Sequence, residues 1–501
     1  MNSVNPKIPS KTSVVVIGGG PAGSLSAILL AREGVDVCLF EKAKFPRYHI
    51  GESMLPSAIP LLDFVGLKAR VEAHGFTKKP GAYFRREQGS PAGLIDFTKS
   101  GGYSYHVVRS EFDHMLLDYA REMGVEVFEE TSIKAVDFLG KRPINVTWET
   151  ASGQGKTGFN YLIDASGLSG ILASRYLKNR QFQDHLANIA LGNYWKNHRP
   201  FMNDHDIGCP GHFNMEALAD GSGWVWAIPL HNQTLSVGVV IHRDCYKAAL
   251  QRHGSHEALY RHYIEMSPDI SAMLSEATPV SQEVKIWQDY SYVAESFSGS
   301  GYRIAGDAAG FIDPIFSTGI HMAFLGALSA AATICATLKN DCSEEEAHRY
   351  HDQCIRQAYI RFTAVVAGMY GQIRNQDKIV LHGITGQDLQ LAFDVMQPIV
   401  SKKLDDNQDE ISTETLNKTV RYAADIMLEL HDISTDDLVS KLMAKKAHKK
   451  EIISDSTNAI EGKFIRLQRG QLGLEKIGLW RELTNRIEAQ GVKLLLSAVS
   501  R

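Results

Sequence analysis

Ser13-Val-Val-Val-Ile-Gly18-Gly-Gly20-Pro-Ala-Gly23 decides the fold. The short β-branched run reads as a buried parallel strand. The glycine turn after it opens at once into an apolar helix, Ser24-Leu-Ser-Ala-Ile-Leu-Leu30. Each glycine has a steric task. Gly18 permits the tight turn, Gly20 lets the backbone approach a pyrophosphate, and Gly23, just after Ala22, lets the helix pack closely on the strand. The helix N-terminus adds unpaired N–H donors and a favourable dipole for the phosphates. A second strand, Val35-Asp-Val-Cys-Leu-Phe40, ends at Glu41, whose carboxylate is placed to accept hydrogen bonds from an adenosine ribose. GxGxxG alone is weak. Between a strand and a helix, with an acid after the second strand, it is strong evidence for dinucleotide binding.

Composition bounds the rest. The chain has 501 residues, 44% of them hydrophobic, and a formal net charge of -4 with both signs mixed along its length. It therefore has apolar material for a large core and no field that favours nucleic acid or an anionic membrane. The basic run at 441–450 reads as a solvated helix face. Cysteines at 38, 209, 245, 335, 342 and 354 form no CxxC pair, which favours a reducing compartment and cytoplasmic location. Residues 1–13 are polar and read as a disordered lead. The longest apolar stretch, 322–338, is broken by Gly326 and Ser329 and suits a buried core helix better than a bilayer span. His348, His351 and Cys354 recur at i, i+3 and i+6, but a complete ligand set is missing, so the reading is an exposed helix face and no metal.

Two further strands end in acidic turns, Tyr161-Leu-Ile-Asp-Ala-Ser-Gly167 and Tyr302-Arg-Ile-Ala-Gly-Asp-Ala-Ala-Gly310. They resemble the second and third FAD motifs of the aromatic hydroxylase superfamily. The resemblance implies FAD held by Asp164, Gly167 and Asp307, and Val107-Val-Arg-Ser-Glu-Phe-Asp113 implies Arg109 directed to the same cofactor. No second GxGxxG follows a strand, so the chain shows no nicotinamide fold of its own, and a separate flavin reductase is expected to supply the electrons.

Phe45-Pro-Arg-Tyr-His-Ile-Gly-Glu-Ser-Met54, Gly75-Phe-Thr-Lys-Lys-Pro-Gly81, Gly223-Trp-Val-Trp-Ala-Ile-Pro229 and Asp313-Pro-Ile-Phe-Ser-Thr-Gly-Ile-His321 carry a more specific resemblance. Together they resemble the flavin-dependent halogenases over the chain to about residue 380, and within them the fungal halogenases of aromatic polyketides of the radicicol and griseofulvin type. The resemblance implies that reduced FAD, oxygen and chloride or bromide yield hypohalous acid. It places Arg47, Ser53, Pro314, Gly319 and Ile320 at the flavin and the halide at Thr318 and Gly319. It makes Lys79 the catalytic lysine, with Lys78 the neighbour to exclude by experiment, acting through a hydrogen bond or as a chloramine. Trp224, Trp226, Ile228 and Pro229 become a barrier between flavin and substrate. Read without the family, the same letters also fit a helix start capped by Ser317, a solvated lysine in a turn, and two core tryptophans on one strand face.

Phe316 stands where tryptophan halogenases have a glutamate, which implies a self-activated substrate such as a freestanding phenol. The expected architecture is α/β, or α+β. A Rossmann-like FAD domain over 14–340 is interleaved with an antiparallel substrate sheet near 80–105 and 190–290. A helical region over 341–501 covers the pocket, with polar loops at 401–414 and 431–437. The rivals are an aromatic hydroxylase, which shares the flavin motifs but has no reason to keep the tryptophan pair with Lys79, and a non-redox escort protein like the GDI family.

Overall fold

The β-branched run forms the central strand Lys11–Ile17 of a predominantly parallel sheet, flanked by Val37–Phe40 on one side and Gly153–Asp164 on the other. In the computed structural model, residues 7–86, 89–100, 102–183, 186–288, 290–374 and 460–476 are described. Outward lie Glu126–Phe128 beyond Val37–Phe40 and Tyr302–Ile304 beyond Gly153–Asp164. Ile17 is in register with Asp164, and Asp164 with Ile304. That alignment brings the turns after all three motifs to one edge of the sheet, where doubly wound folds bind ligands.

Gly18 has φ +103°, and a Cβ there would meet Ala165 O at 2.3 Å; one on Gly23 would meet Gly18 O at 1.8 Å. Both positions need glycine for reasons of space. Helix Pro21–Arg32 packs the sheet against helix Thr318–Leu338. The second helix is long and apolar enough to cross a membrane, but 94% of its apolar window is buried inside the protein, as a core helix should be.

A second, eight-stranded sheet takes Gly81–Arg85 and Gly93–Asp96 from one segment, and Asn188–Lys196, Phe213–Ala217, Gly223–Pro229, Leu235–His242, Thr278–Pro279 and Lys285–Trp287 from another. Its pairing is antiparallel except between Phe213–Ala217 and Gly81–Arg85, which run parallel where the two segments join. Helices Arg243–His253, His256–Glu265 and Pro268–Met273 cover its far face, with Leu191, Val225, Val237 and Val239 beneath them.

Three expectations shift. Strand Lys11–Ile17 begins before residue 14, so the polar lead is shorter than thirteen residues. The C-terminal region opens with helix Glu344–Arg374, but Lys463–Arg466 and Gly473–Lys476 pair as a hairpin, so this region is not purely helical. His351, expected on an exposed face, is buried. Its ring nitrogens lie 3.0 Å from Ser329 Oγ and 3.0 Å from Ile304 O, and Cys354 is buried with it. Periodicity locates a face without saying which way it points. The loops at 401–414 and 431–437 and the basic run at 441–450 lie outside the described residues.

Candidate active site

A cavity of about 850 Å³ begins at the glycine turn, lined by Gly18, Gly20, Ala22 and Glu41. Glu41 is spent on the turn itself: Gly19 N donates to its Oε2 and Ala43 N to its Oε1, both at 2.7 Å. Arg47, Arg109, Gly167 and Asp307 line the middle of the cavity. Arg109 donates to Asp113 at 2.8 and 3.0 Å and to the carbonyls of Ile50 and Gly51, so it clamps the Gly-Glu-Ser segment against the helix that carries Asp113. Asp307 has no such role, and burial raises its pKa to about 6 against the pull of Arg109 and Arg180. Its carboxylate faces the cavity as a ligand for polyol hydroxyls would.

Asp164 departs from its expected place. It does not line the cavity; its two oxygens accept from Ser166 N at 3.1 Å and Leu172 N at 2.6 Å. It shapes the turn that brings Gly167 and Leu168 to the wall. Gly23 likewise serves packing, as its steric fit requires. The bare backbone at Gly20, free donors at two helix starts and an open acid at Asp307 fit FAD along the length of the cavity.

The far end is formed by Pro314, Ser317, Thr318, Gly319 and Ile320. Ser317 occupies the N-cap position of helix Thr318–Leu338 in the left-handed region, φ 58°, and its side chain makes no capping hydrogen bond. The first N–H groups of the helix are therefore left for another acceptor, a ready site for an anion.

Trp224 and Trp226 share the cavity-facing side of strand Gly223–Pro229 with Ile228; Pro229 ends the strand and does not reach the cavity. Trp224 Nε1 donates to Tyr370 Oη at 2.8 Å, and that hydroxyl donates to Asp313 Oδ2 at 2.9 Å. Trp226 Nε1 donates to Ser236 Oγ at 3.3 Å. The Trp226 indole lies over Gly238, where a Cβ would stand 2.1 Å from the ring, and beside Gly192, its in-register neighbour. Sequence reasoning missed Gly192, Gly238, Tyr370 and Trp287, which packs on Gly192 and also lines the cavity.

Lys79 and Lys78 separate cleanly. Lys78 is exposed, its Nζ 4.8 Å from the Tyr103 ring centroid. Lys79 is 1% exposed, and no carboxylate pairs with it among the described residues. Its Nζ donates to Ser53 Oγ at 2.8 Å and Met54 O at 3.2 Å, with the rings of Phe97 and Phe213 at 5.2 and 5.3 Å. Burial pulls its pKa down to about 7. Ser53 and Phe213 both line the flavin cavity, so the lysine sits immediately behind its wall. Phe316 is buried and outside that cavity, its ring tilted against Phe84 at 5.5 Å between centroids, and Phe84 in turn meets Phe213 at 5.7 Å. It belongs to the aromatic wall that leads to Lys79.

Residues 11–362 match the FAD binding domain family, so fold and cavity define an FAD-dependent oxidoreductase. The chain is 36% identical to the flavin-dependent halogenase armH4 of Armillaria mellea, over 94% of this chain and 99% of the relative. It is 38% identical to the sulochrin halogenase gedL of Aspergillus terreus, over 94% of each. Among solved structures, the myxobacterial chondrochloren halogenase CndH superposes with a TM-score of 0.68 at 29% identity, over 82% of this chain and 90% of that one. The chain belongs to the flavin-dependent halogenases, enzymes of secondary metabolism that use FAD and a halide. The hydroxylase and escort readings give way to that membership.

Proposed function

We propose that the chain halogenates a freestanding phenolic small molecule of the aromatic polyketide kind at Lys79, by electrophilic substitution with hypohalous acid. The observation that carries this reading is the unpaired, buried Lys79, one hydrogen bond from a residue of the flavin cavity and flanked by aromatic rings suited to an aromatic substrate. Reduced FAD, when bound, supplies the electrons that turn oxygen and halide into hypohalous acid.

The protein's own residues do the rest. Gly18, Gly20, Arg47, Arg109 and Asp307 hold the dinucleotide, with Glu41 fixing the turn beneath it, and the helix start at Thr318 and Gly319 holds the halide. Trp224 and Trp226, each tied by its indole N–H, wall the organic substrate away from the flavin. The small acid then reaches Lys79, which is available in both protonation states near neutral pH. As an ammonium it polarises the O–halogen bond; as an amine it accepts the halogen and passes it on. A phenol lends its own oxygen electrons to the ring, which suits a wall that offers Phe316 in place of a carboxylate.

With no second dinucleotide fold among the described residues, reduced FAD comes from a separate reductase, and six cysteines without a disulfide suit a reducing, cytoplasmic setting. The test is mass spectrometry of an assay with a phenolic polyketide, FAD, flavin reductase, NADH and chloride. A product gaining one chlorine, absent without the reductase, supports the reading. Rapid NADPH oxidation by the purified chain alone, with oxygen inserted in place of halogen, overturns it.

A further inference from the structure

The Gly-Glu-Ser segment places one acid that binding and halogen delivery leave unused. Glu52 is 3% exposed and lines the flavin cavity, one residue from Ser53. Its Oε1 accepts from Tyr194 Oη at 2.5 Å, while its Oε2 is buried with no hydrogen-bond partner among the described residues. The Tyr194 hydroxyl stands 3.3 Å from that of Tyr48, which is 46% exposed. A line of hydroxyls thus runs from the surface to a carboxyl group at the cavity. The backbone fixes its inner end, because Val107 N donates to Glu52 O at 2.8 Å.

The groups facing Glu52 are the Arg109 guanidinium, Tyr194 and Ser236, with His49 on its own segment and Lys285 over the Tyr48 ring at 4.2 Å. Arg109 is already neutralised by Asp113, so it leaves Glu52 without an ion pair. Burial outweighs the hydroxyls and Arg109 and raises the Glu52 pKa to about 7. A buried acid with only hydroxyls and a neutralised Arg109 to oppose its desolvation exchanges a proton near neutral pH.

The reaction needs such a proton. FADH2, O2, a halide anion and one proton give FAD, water and hypohalous acid; the acid and Ar–H then give Ar–halogen and a second water. One proton must therefore enter the cavity with each halide, and it ends on an oxygen that leaves as water. We infer that Glu52 delivers this proton, reloaded from solvent through Tyr194 and Tyr48. The inference rests on the halogenase reading and assigns the acid that serves it.

Infrared spectroscopy of the FAD-loaded protein, with halogenation followed beside it, tests the assignment. A carbonyl-stretch band of a protonated carboxyl should titrate with a midpoint near pH 7, vanish in Glu52→Gln and shift in Tyr194→Phe. Wild-type halogenation should fall on the basic side of that midpoint. Glu52→Gln, which can still accept from Tyr194, should lose about tenfold or more in turnover, release more hydrogen peroxide and lose that limb of the pH profile. Tyr194→Phe should slow turnover while keeping the Glu52 band. A band unchanged in Glu52→Gln, or a Glu52→Gln enzyme with wild-type rate and pH profile, overturns the inference. Absence of halogenation in the wild type sinks the halogenase reading instead, and the band and its response to Tyr194→Phe still decide whether Glu52 holds a relayed proton.

Discussion

Lys79 Nζ donates to Ser53 Oγ at 2.8 Å, and Ser53 belongs to the wall of the flavin cavity. That single bond joins the cavity to the buried lysine that the rings of Phe97 and Phe213 flank, the place proposed above for an aromatic substrate. The lysine meets the cavity wall through Ser53 and Phe213 and hydrogen-bonds none of Gly18, Gly20, Arg47, Arg109 and Asp307, so halogen transfer should be separable from flavin binding. Lys79→Ala should keep FAD affinity within a fewfold and lose about a hundredfold or more in product formation. Lys78→Ala, at an exposed position, should leave both unchanged. FAD titration by fluorescence beside product analysis separates the effects, and retained halogenation in Lys79→Ala would show that the handle is misassigned.

The same burial predicts how stability depends on pH. Burial lowers the pKa of Lys79 in the folded protein to about 7 from the ordinary lysine value of 10.5. Below the lower value both states carry the proton and the folded protein bears the whole cost of burying it. Between the two values the unfolded chain binds the proton and the folded one does not, so stability rises with pH across that window. Lys79→Met removes the charge and keeps the chain length. It should melt higher than wild type at pH 7, with the gap closing as pH approaches 10. Thermal denaturation across this range checks it; a gap that is constant or widens would mean the amine finds compensation in the fold.

Trp226 stands in a slot made by the absence of side chains. A Cβ at Gly238 would lie 2.1 Å from Cη2 and Cζ2 of the indole. Gly238→Ala must therefore push the ring off its seat and break its bond to Ser236. Overpacking of this kind costs about 1–3 kcal/mol. Tryptophan emission should shift as the indole moves, and a breached barrier should raise the yield of hydrogen peroxide per product formed. Unchanged emission and melting temperature would show that the sheet yields instead.

What the residues disclose depends on how local the physics is. The dinucleotide turn was legible because its constraints act between near neighbours: Gly18 must turn and Gly23 must clear Gly18 O. The cores of Lys11–Ile17 and Thr318–Leu338 showed in their apolar runs. The slot under Trp226 did not show, since Gly192 and Gly238 reach it only through strand register. Nor did the anchor on Trp224, because Tyr370 comes from a helix 146 residues away. Asp164 carried the letters of a cofactor ligand, yet its oxygens serve the turn around it. A motif fixes which residues stand at a site more reliably than which atom each one offers.

A phenolic substrate, as proposed above, is the class that an aromatic wall ending at Phe316 suits. That ring is buried on Phe84, two aromatic contacts along the wall from Phe213 beside Lys79, and brings no carboxylate to assist electrophilic attack. The substrate must supply its own activation, and a resorcinol-like or naphthol-like hydroxyl does so by feeding electron density to its ortho and para carbons. Halogen should enter at one of those positions. Methylating the directing hydroxyl removes both its proton and its route to phenolate, so turnover should fall by about tenfold or more while a free phenol of similar shape is accepted. The measurement is a matched phenol and methyl ether under identical conditions, with free tryptophan as a third substrate and the halogenated position read by NMR. Equal rates on the ether, or faster turnover of tryptophan than of any phenol, would mean that activation comes from the protein after all, and the acid responsible would have to be sought among groups other than Phe316.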